Sequence, residues 1–171
     1  ANIVQEDVLY EDDFSTDVKY TAALGDFSWQ SFRRPTWSNG ALISDNFTDS
    51  QKAQFALLNG LEANGWMNYT VEADITAGTA NDRVCYVAVY GKTTGDKQAG
   101  DAYRFSYSGK SGKFLLTRNA TGASGNKADL VTGILIADYF SDYKKGETIR
   151  MSITAVTCEE YVHLICEVTY K

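Results

Sequence analysis

Alternation of apolar and polar residues with a period of two recurs along most of this 171-residue chain, and long helical periodicity does not. Residues 69–76 alternate without a fault, so one side of this segment can face a core while the other faces water. Turn-forming residues separate the alternating runs at intervals typical of antiparallel sheets. The pattern therefore predicts an all-β protein, folded as an antiparallel β-sandwich or jelly roll. The predicted strands are residues 41–43, 54–58, 69–76, 83–90, 102–108, 114–118, 148–157 and 161–170.

Length predicts one domain over residues 1–171. A chain of this length buries about 70% of its unfolded surface, which is enough for a core without disulfides or metals. Cys85, Cys158 and Cys166 lack the spacing of zinc or redox motifs, so at most one disulfide can form. Their strand-like settings favour small buried hydrophobes. Residues 49–64 also admit a helix, although the alternation of Phe55 and Leu57 favours a strand.

Charge and composition exclude several classes of function. The formal net charge of −6 argues against nucleic acid as a partner, because binding it requires clustered Lys and Arg. No run of 18 apolar residues is present, so we expect no membrane insertion. The single histidine, His163, rules out a multi-histidine zinc site and has no Ser or Cys motif beside it that would indicate a triad.

Glu72 and Asp74 are the strongest indication of catalysis, because residues i and i+2 of a strand project from the same face. Two carboxylates on a sheet face are what glycoside hydrolysis requires. Laminarinase-like glucanases use the motif E-x-D-x-x-E, but Ala77 stands where the second Glu would be. The alternative is that both carboxylates decorate a solvated face and pair with Arg104 or Arg118.

Strand parity predicts an outer face that carries aromatic and charged residues together. Tyr86 and Tyr90 alternate with a small apolar set and should look outward, as should Arg104 on a neighbouring strand. With matching registers, Glu72 and Asp74 would share this side. Aromatic rings stack on the C–H face of a pyranose and charged side chains bind its hydroxyls, so this composition favours sugar binding. The alternative is ordinary cross-strand pairing.

Two further groups are candidates for binding roles. Trp37 and Trp66 stand beside turn sequences, where a Trp is either a lid on the core or a platform for a ligand. Asp12 and Asp13 belong to an acidic N-terminal segment with the hard oxygen ligands that Ca²⁺ prefers. The D-x-D-x-D-G spacing is missing, and the alternative is a solvated acidic end.

A series of short motifs resembles the concanavalin A-like (laminin G-like) jelly rolls of secreted bacterial carbohydrate-active proteins. The resemblance spans about residues 12–157 and implies a secreted β-sandwich. It further implies a non-catalytic carbohydrate-binding module, joined to neighbouring domains in a larger polysaccharide-degrading protein. The motifs that carry it are residues 12–15 (DDFS), 37–42 (WSNGAL), 66–74 (WMNYTVEAD), 102–105 (AYRF) and 146–151 (GETIRM).

The end of the chain departs from this family, whose members usually close with a strand that pairs near the N-terminal D-D-F. The chain stops at Lys171, before such a segment. Three explanations are open: the closing strand is missing, it comes from another chain, or the match of this end to the family is incorrect. Two other functions stay open. One is a glycoside hydrolase or polysaccharide lyase that uses Glu72 and Asp74, and the other is a protein-binding adhesion domain.

Overall fold

The computed structural model contains twelve strands among the residues it describes, which are 8, 10–15, 23–24, 27–32, 36–38, 40–43, 55–59, 68–80, 84–91, 101–119 and 127–171. The chain divides into two compact units, Ala1–Leu61 and Glu62–Lys171. In chain order the strands are β1 (Ala23–Leu24), β2 (Phe27–Phe32), β3 (Thr36–Ser38), β4 (Ala41–Ile43), β5 (Phe55–Asn59), β6 (Tyr69–Ile75), β7 (Val84–Val89), β8 (Ala102–Ser108), β9 (Lys113–Asn119), β10 (Lys127–Leu135), β11 (Ile149–Thr157) and β12 (Val162–Thr169).

The second unit is a sandwich of two antiparallel sheets. One sheet has the order β12-β11-β6 and the other has the order β10-β9-β8-β7. A single turn of 3₁₀ helix, Ile136–Asp138, follows β10. The apolar positions of the alternating strands face each other between the sheets, which leaves each sheet with one outer face. We call these the three-stranded outer face and the four-stranded outer face.

The core between the two sheets is apolar and closely packed. Tyr107, Met151, Ile153 and Ala155 have no exposed surface. Burying a side chain of this size stabilises the fold by about 1.5–3 kcal/mol relative to leaving it in water. Tyr107 keeps its phenol satisfied by donating a hydrogen bond of 2.8 Å to the hydroxyl oxygen of Tyr143.

The first unit contributes two small sheets, which are described here by themselves. β1, β2 and β5 form one antiparallel sheet, and β3 pairs with β4 in a hairpin. Gly40 precedes β4 with φ +73°, a left-handed conformation that glycine adopts without steric cost. The alternating pattern of residues 54–58 thus corresponds to strand β5, as predicted.

The all-β class and the antiparallel sandwich predicted from the alternation are confirmed, and each predicted strand appears within two residues of its expected ends. The jelly-roll order of strands and the single domain stay predictions. Among the described residues no helix is long and apolar enough to cross a bilayer. All three cysteines are free thiols; Cys85 and Cys166 are half-buried where full burial was expected, and Cys158 is exposed.

Strand β10 was not predicted, and its pairing with β9 explains why. The register shifts between Asp129 and Val131 and again between Val131 and Ile134. Each shift breaks the period-two pattern on which the prediction depends. Gly133, at φ +79°, lies within the second irregularity. An irregular edge strand of this kind leaves no alternation to detect in the sequence.

Candidate functional site

Glu72 and Asp74 lie on the three-stranded outer face, and both bind one arginine. The register places Arg150 opposite Asp74 and Ser152 opposite Glu72. The two guanidinium nitrogens of Arg150 donate to Glu72 Oε1 at 2.7 Å and to Asp74 Oδ1 at 3.0 Å. These hydrogen bonds raise the pKa of Arg150. The carboxylates therefore have an ion-pair partner, but it is Arg150 and not the Arg104 or Arg118 named in the solvated-face alternative.

Two pairs of threonines also link the strands of this face. Thr70 and Thr154 share a hydrogen bond of 2.7 Å between their hydroxyls, and Thr76 and Thr148 share one of 2.6 Å. These pairs flank the Arg150 cluster at both ends of β6. The threonine pairs and the Arg150 ion pairs are cross-strand contacts. Such contacts typically contribute about 0.2–1 kcal/mol each.

Tyr86 and Arg104 lie on the opposite side of the sandwich, on the four-stranded outer face. Tyr86 is in register with Ser106 and Ala88 with Arg104, so Tyr86 and Arg104 are diagonal neighbours. The guanidinium carbon of Arg104 stands 4.9 Å from the centre of the Tyr86 ring, within the range of a cation–π contact. Burial raises the pKa of Tyr86, and the charge of Arg104 partly offsets this shift.

Arg104 has no acceptor for its inner donor. Its Nε–H is buried and makes no hydrogen bond, the only side-chain polar atom of this kind among the described residues. No carboxylate of the described part of the chain forms an ion pair with it. Leaving a buried donor unsatisfied costs about 1–3 kcal/mol, so native structures retain few such groups.

The surroundings of this pair are small and hydroxyl-bearing. Ser106 lies between Tyr86 and Leu115, and Thr117 lies beside Arg104. Both hydroxyl residues are buried, whereas Tyr86 and Arg104 are half-buried. Val84, two residues before Tyr86 on the same strand face, is 50% exposed. The face around Tyr86 and Arg104 thus carries polar side chains that are buried or half-buried.

Tyr90 does not share the face of Tyr86, and the parity prediction for it is wrong. It follows the last residue of β7 with φ +54°, a left-handed conformation that breaks the alternation. Its ring packs edge-on against Tyr69 and Tyr103, and its hydroxyl is 2.7 Å from Thr157 Oγ1. Tyr90 therefore packs on the core side of the sandwich.

The sequence-predicted site is accordingly divided. Tyr86 and Arg104 come together on one outer face, and Glu72 and Asp74 come together on the other. The predicted matching register fails because β6 pairs with β11 in a different sheet from β7 and β8. Arg150 was missed, although its outward parity between Ile149 and Met151 could have indicated an exposed position.

The remaining candidates fall in the first unit or outside the described residues. Trp37 lies within strand β3, not in a turn, and Trp66 is outside the described residues. Asp12 accepts hydrogen bonds from Tyr10 Oη at 2.9 Å and from the Phe14 backbone N–H at 2.7 Å. Asp13 Oδ1 accepts one from the Ser15 backbone N–H at 2.9 Å, and hydrogen bonds from Ser15 lower its pKa.

These contacts use both oxygens of Asp12 within its own turn, in the way that Asp side chains cap turns. Ca²⁺ takes six to eight oxygen ligands. No group of three or more His, Cys, Asp or Glu side chains in the described part of the chain is arranged to hold a metal ion. Calcium at Asp12 and Asp13 stays a prediction from the sequence.

An apolar groove opens between β10 and β12, and the sequence did not indicate it. Its volume is about 400 Å³. Along it Val131, Ile134 and Tyr139 are exposed, the last by 71%. The groove also reaches the thiol of Cys166, whose pKa burial raises to about 11. The lining residues are Phe105, Phe114, Leu115, Leu116, Val131, Ile134, Ile136, Tyr139, Phe140, Leu164, Cys166 and Val168.

Glu147 anchors the end of the chain in a network that the sequence also did not indicate. Its carboxylate accepts hydrogen bonds from the Tyr170 hydroxyl, from the Lys144 backbone N–H at 2.8 Å and from Lys171 Nζ at 3.2 Å. These donors, led by Tyr170, lower the pKa of Glu147 to about 2. Tyr170 in turn packs edge-on against Tyr143. The network thus joins Tyr170 and Lys171 to the segment that precedes β11.

Neither protein-family models, nor curated proteins, nor solved structures provide a match to this chain. The similarity of its motifs to concanavalin A-like domains therefore stays an interpretation of the sequence.

Proposed function

We propose that this chain is a non-catalytic carbohydrate-binding module with its site on the four-stranded outer face. The observation that carries the proposal is the Arg104 guanidinium, held against the Tyr86 ring with a buried donor that lacks an acceptor. A ligand oxygen at this point would satisfy the donor. Buried unsatisfied groups are retained mainly where function compensates for their cost.

The neighbouring residues support a sugar as the ligand. A pyranose offers an apolar C–H surface with a rim of hydroxyls. The half-buried ring of Tyr86 and the exposed Val84 provide apolar contact, and Arg104 provides donors for hydroxyl oxygens. The motif resemblance implies that such a module is part of a larger secreted polysaccharide-degrading protein.

The arrangement of carboxylates favours binding over hydrolysis. A glycosidase requires one carboxyl group as acid and another as nucleophile or base across the scissile bond. Glu72 and Asp74 are both engaged by Arg150 on an exposed sheet face, on the far side of the core from Tyr86. Hydrolysis by this pair therefore has less support than binding at Arg104.

Affinity electrophoresis through gels containing neutral and acidic plant, fungal and animal polysaccharides tests the proposal. We expect at least one polysaccharide to retard the protein, and Tyr86→Ala to weaken that binding by about tenfold or more. Tyr139→Ala is the matched control, because Tyr139 is an exposed tyrosine in the groove. No retardation by any polysaccharide would overturn the function, and retardation that survives Tyr86→Ala would overturn the site.

The apolar groove favours one second candidate, a protein-binding adhesion domain. Exposed Val131, Ile134 and Tyr139 beside two edge strands suit a partner that adds apolar side chains and strand pairing. Surface plasmon resonance against immobilised extracellular-matrix proteins tests this candidate, with Ile134→Lys as the groove variant. Binding that Ile134→Lys abolishes and Tyr86→Ala leaves intact would favour it, and binding to none of them would count against it.

A further inference from the structure

We infer that the Tyr86–Arg104 site selects glycans that carry an anionic group on the sugar ring, either a carboxylate or a sulfate ester, which pairs with the Arg104 guanidinium. This inference rests on the proposed function and names the class of sugar.

A guanidinium has five donors and no acceptor, and it remains ionised throughout the physiological pH range. At Arg104 the guanidinium lies against the face of the Tyr86 ring, with Cζ 4.9 Å from the ring centre, and no carboxylate of the described residues pairs with it. A ring quadrupole is a weaker partner than an anion. An oxyanion that accepts from the guanidinium of Arg104 would neutralise its charge.

Arg150, by contrast, has its charge balanced by carboxylates of the chain. Two carboxylates of the adjacent strand, Glu72 and Asp74, receive its donors at 2.7 and 3.0 Å. The neighbours of Arg104 in register are Ala88 and Thr117, and neither is charged. The anion that would complete the Arg104 site is therefore not supplied by its adjacent strands.

The net negative charge of the chain favours binding of an anionic glycan at a local site over general adsorption. The formal net charge of −6 opposes non-selective adsorption to polyanions, so retention by an acidic polymer requires a local site. Asp129 is in register with Thr117 and lies two strands from Arg104. At the usual strand spacing this separation is about 10 Å, where salt screening weakens its repulsion of a bound anion.

Two matched pairs of polymers test the inference, each pair differing only in its anionic group. Polygalacturonate and its methyl ester compare the carboxylate with its neutral form, and dextran sulfate and dextran compare the sulfate ester. We expect the charged member of one pair to be bound about tenfold or more tightly than its neutral member. The pair that discriminates identifies the anion as carboxylate or sulfate.

Three variants assign the discrimination to Arg104. Arg104→Gln should abolish the preference for the charged polymer, and Arg104→Lys should restore part of it because it keeps the charge without the planar fork. Arg118→Gln is the matched control, since Arg118 is an exposed arginine of β9 whose removal changes the net charge equally. Thermal unfolding of each variant, together with the apolar variant Arg104→Met, separates loss of binding from loss of folding.

Every result decides the question. Equal binding of charged and neutral members overturns the inference while the proposed function stands, provided that Tyr86→Ala still weakens binding. Equal losses in Arg104→Gln and Arg118→Gln overturn it as well, because net charge alone would then explain retention. Absence of binding to every polysaccharide, including the neutral panel, overturns the proposed function itself.

Discussion

The two outer faces of the sandwich in residues 62–171 each carry an arginine on a central strand, but they satisfy it differently. On the three-stranded outer face, Arg150 donates to Glu72 and Asp74 and the neighbouring threonines pair with one another. On the four-stranded outer face, Arg104 rests on Tyr86 with a buried donor that has no acceptor. A charged side chain therefore indicates a ligand site by the partners that it has or lacks, and not by its presence alone.

The same difference has opposite consequences for stability. Exposed ion pairs such as those of Arg150 contribute about 0.2–1 kcal/mol each. An unsatisfied buried donor costs about 1–3 kcal/mol, only part of which a cation–π contact returns. One face therefore stabilises the fold slightly, whereas the other weakens it in a way that a bound anion would reverse.

The largest effect is expected in the core on which both faces depend. Ile153→Ala should lower the free energy of unfolding by about 2–5 kcal/mol, because Ile153 has no exposed surface and the cavity cannot fill with water favourably. Urea unfolding measures the change. Ile165→Ala is the matched control, since Ile165 is 50% exposed on β12, and its loss should stay below about 1 kcal/mol. Equal losses at the two positions would contradict the assignment of inner and outer faces.

The direct test of the comparison replaces each arginine by methionine, which keeps the packing of the aliphatic stem. Arg104→Met should raise the free energy of unfolding by about 1 kcal/mol, because it removes the unsatisfied donor. Arg150→Met should lower it by about 1 kcal/mol, because it breaks two ion pairs and leaves Glu72 and Asp74 as unbalanced like charges. Urea unfolding at neutral pH measures both. Changes of the same sign would mean that the two faces are equivalent.

A third kind of partnered charge, Glu147, should make stability depend on pH. Its pKa is about 2 in the folded protein and about 4.3 in an unfolded chain, so the native state holds its proton less tightly. The stability it contributes is complete above about pH 4.3 and is lost as the pH falls toward 2. Glu147→Gln should remove this dependence, measured as urea midpoints between pH 2 and 7. Glu159→Gln, in the exposed turn after β11, should retain it.

The smallest effect is expected for the double variant Glu72→Gln, Asp74→Asn. Because these side chains are exposed and serve only Arg150, stability should fall by about 0.5–1 kcal/mol. Retention on polysaccharide gels should change by less than about twofold, because the double variant leaves Tyr86 and Arg104 unchanged. Affinity electrophoresis and a reducing-sugar assay provide the measurements. Loss of binding, or loss of a sugar-releasing activity present in the parent protein, would transfer the site to this face.

Prediction from the sequence succeeded where structure follows local periodicity. In β6, Thr70, Glu72 and Asp74 face outward and Val71 and Ala73 face the core, as alternation requires. Prediction failed where the backbone leaves that periodicity. The left-handed Tyr90 turns its ring to the core side, and the register shifts around Gly133 conceal β10 altogether.

The candidate site was predictable only in part, for a different reason. Parity correctly placed Tyr86 and Arg104 on an outward face, opposite the core positions Val87 and Phe105. Parity contains no information about which strands become neighbours. Glu72 and Asp74 were therefore predicted, wrongly, to lie on the same face as Tyr86 and Arg104. The apolar groove was also missed, because it arises between strands β10 and β12, which are remote in sequence.

By itself the sequence determined the strands, the inward and outward side of each regular one, and the absence of clustered histidine or basic residues. These properties depend on each residue and its nearest neighbours. Only the tertiary structure brings Arg150 to Glu72, 78 positions away, and leaves Arg104 without a carboxylate partner among the described residues. Sheet pairing joins distant segments through backbone hydrogen bonds that every residue can make, so side-chain alternation cannot specify the partner strand.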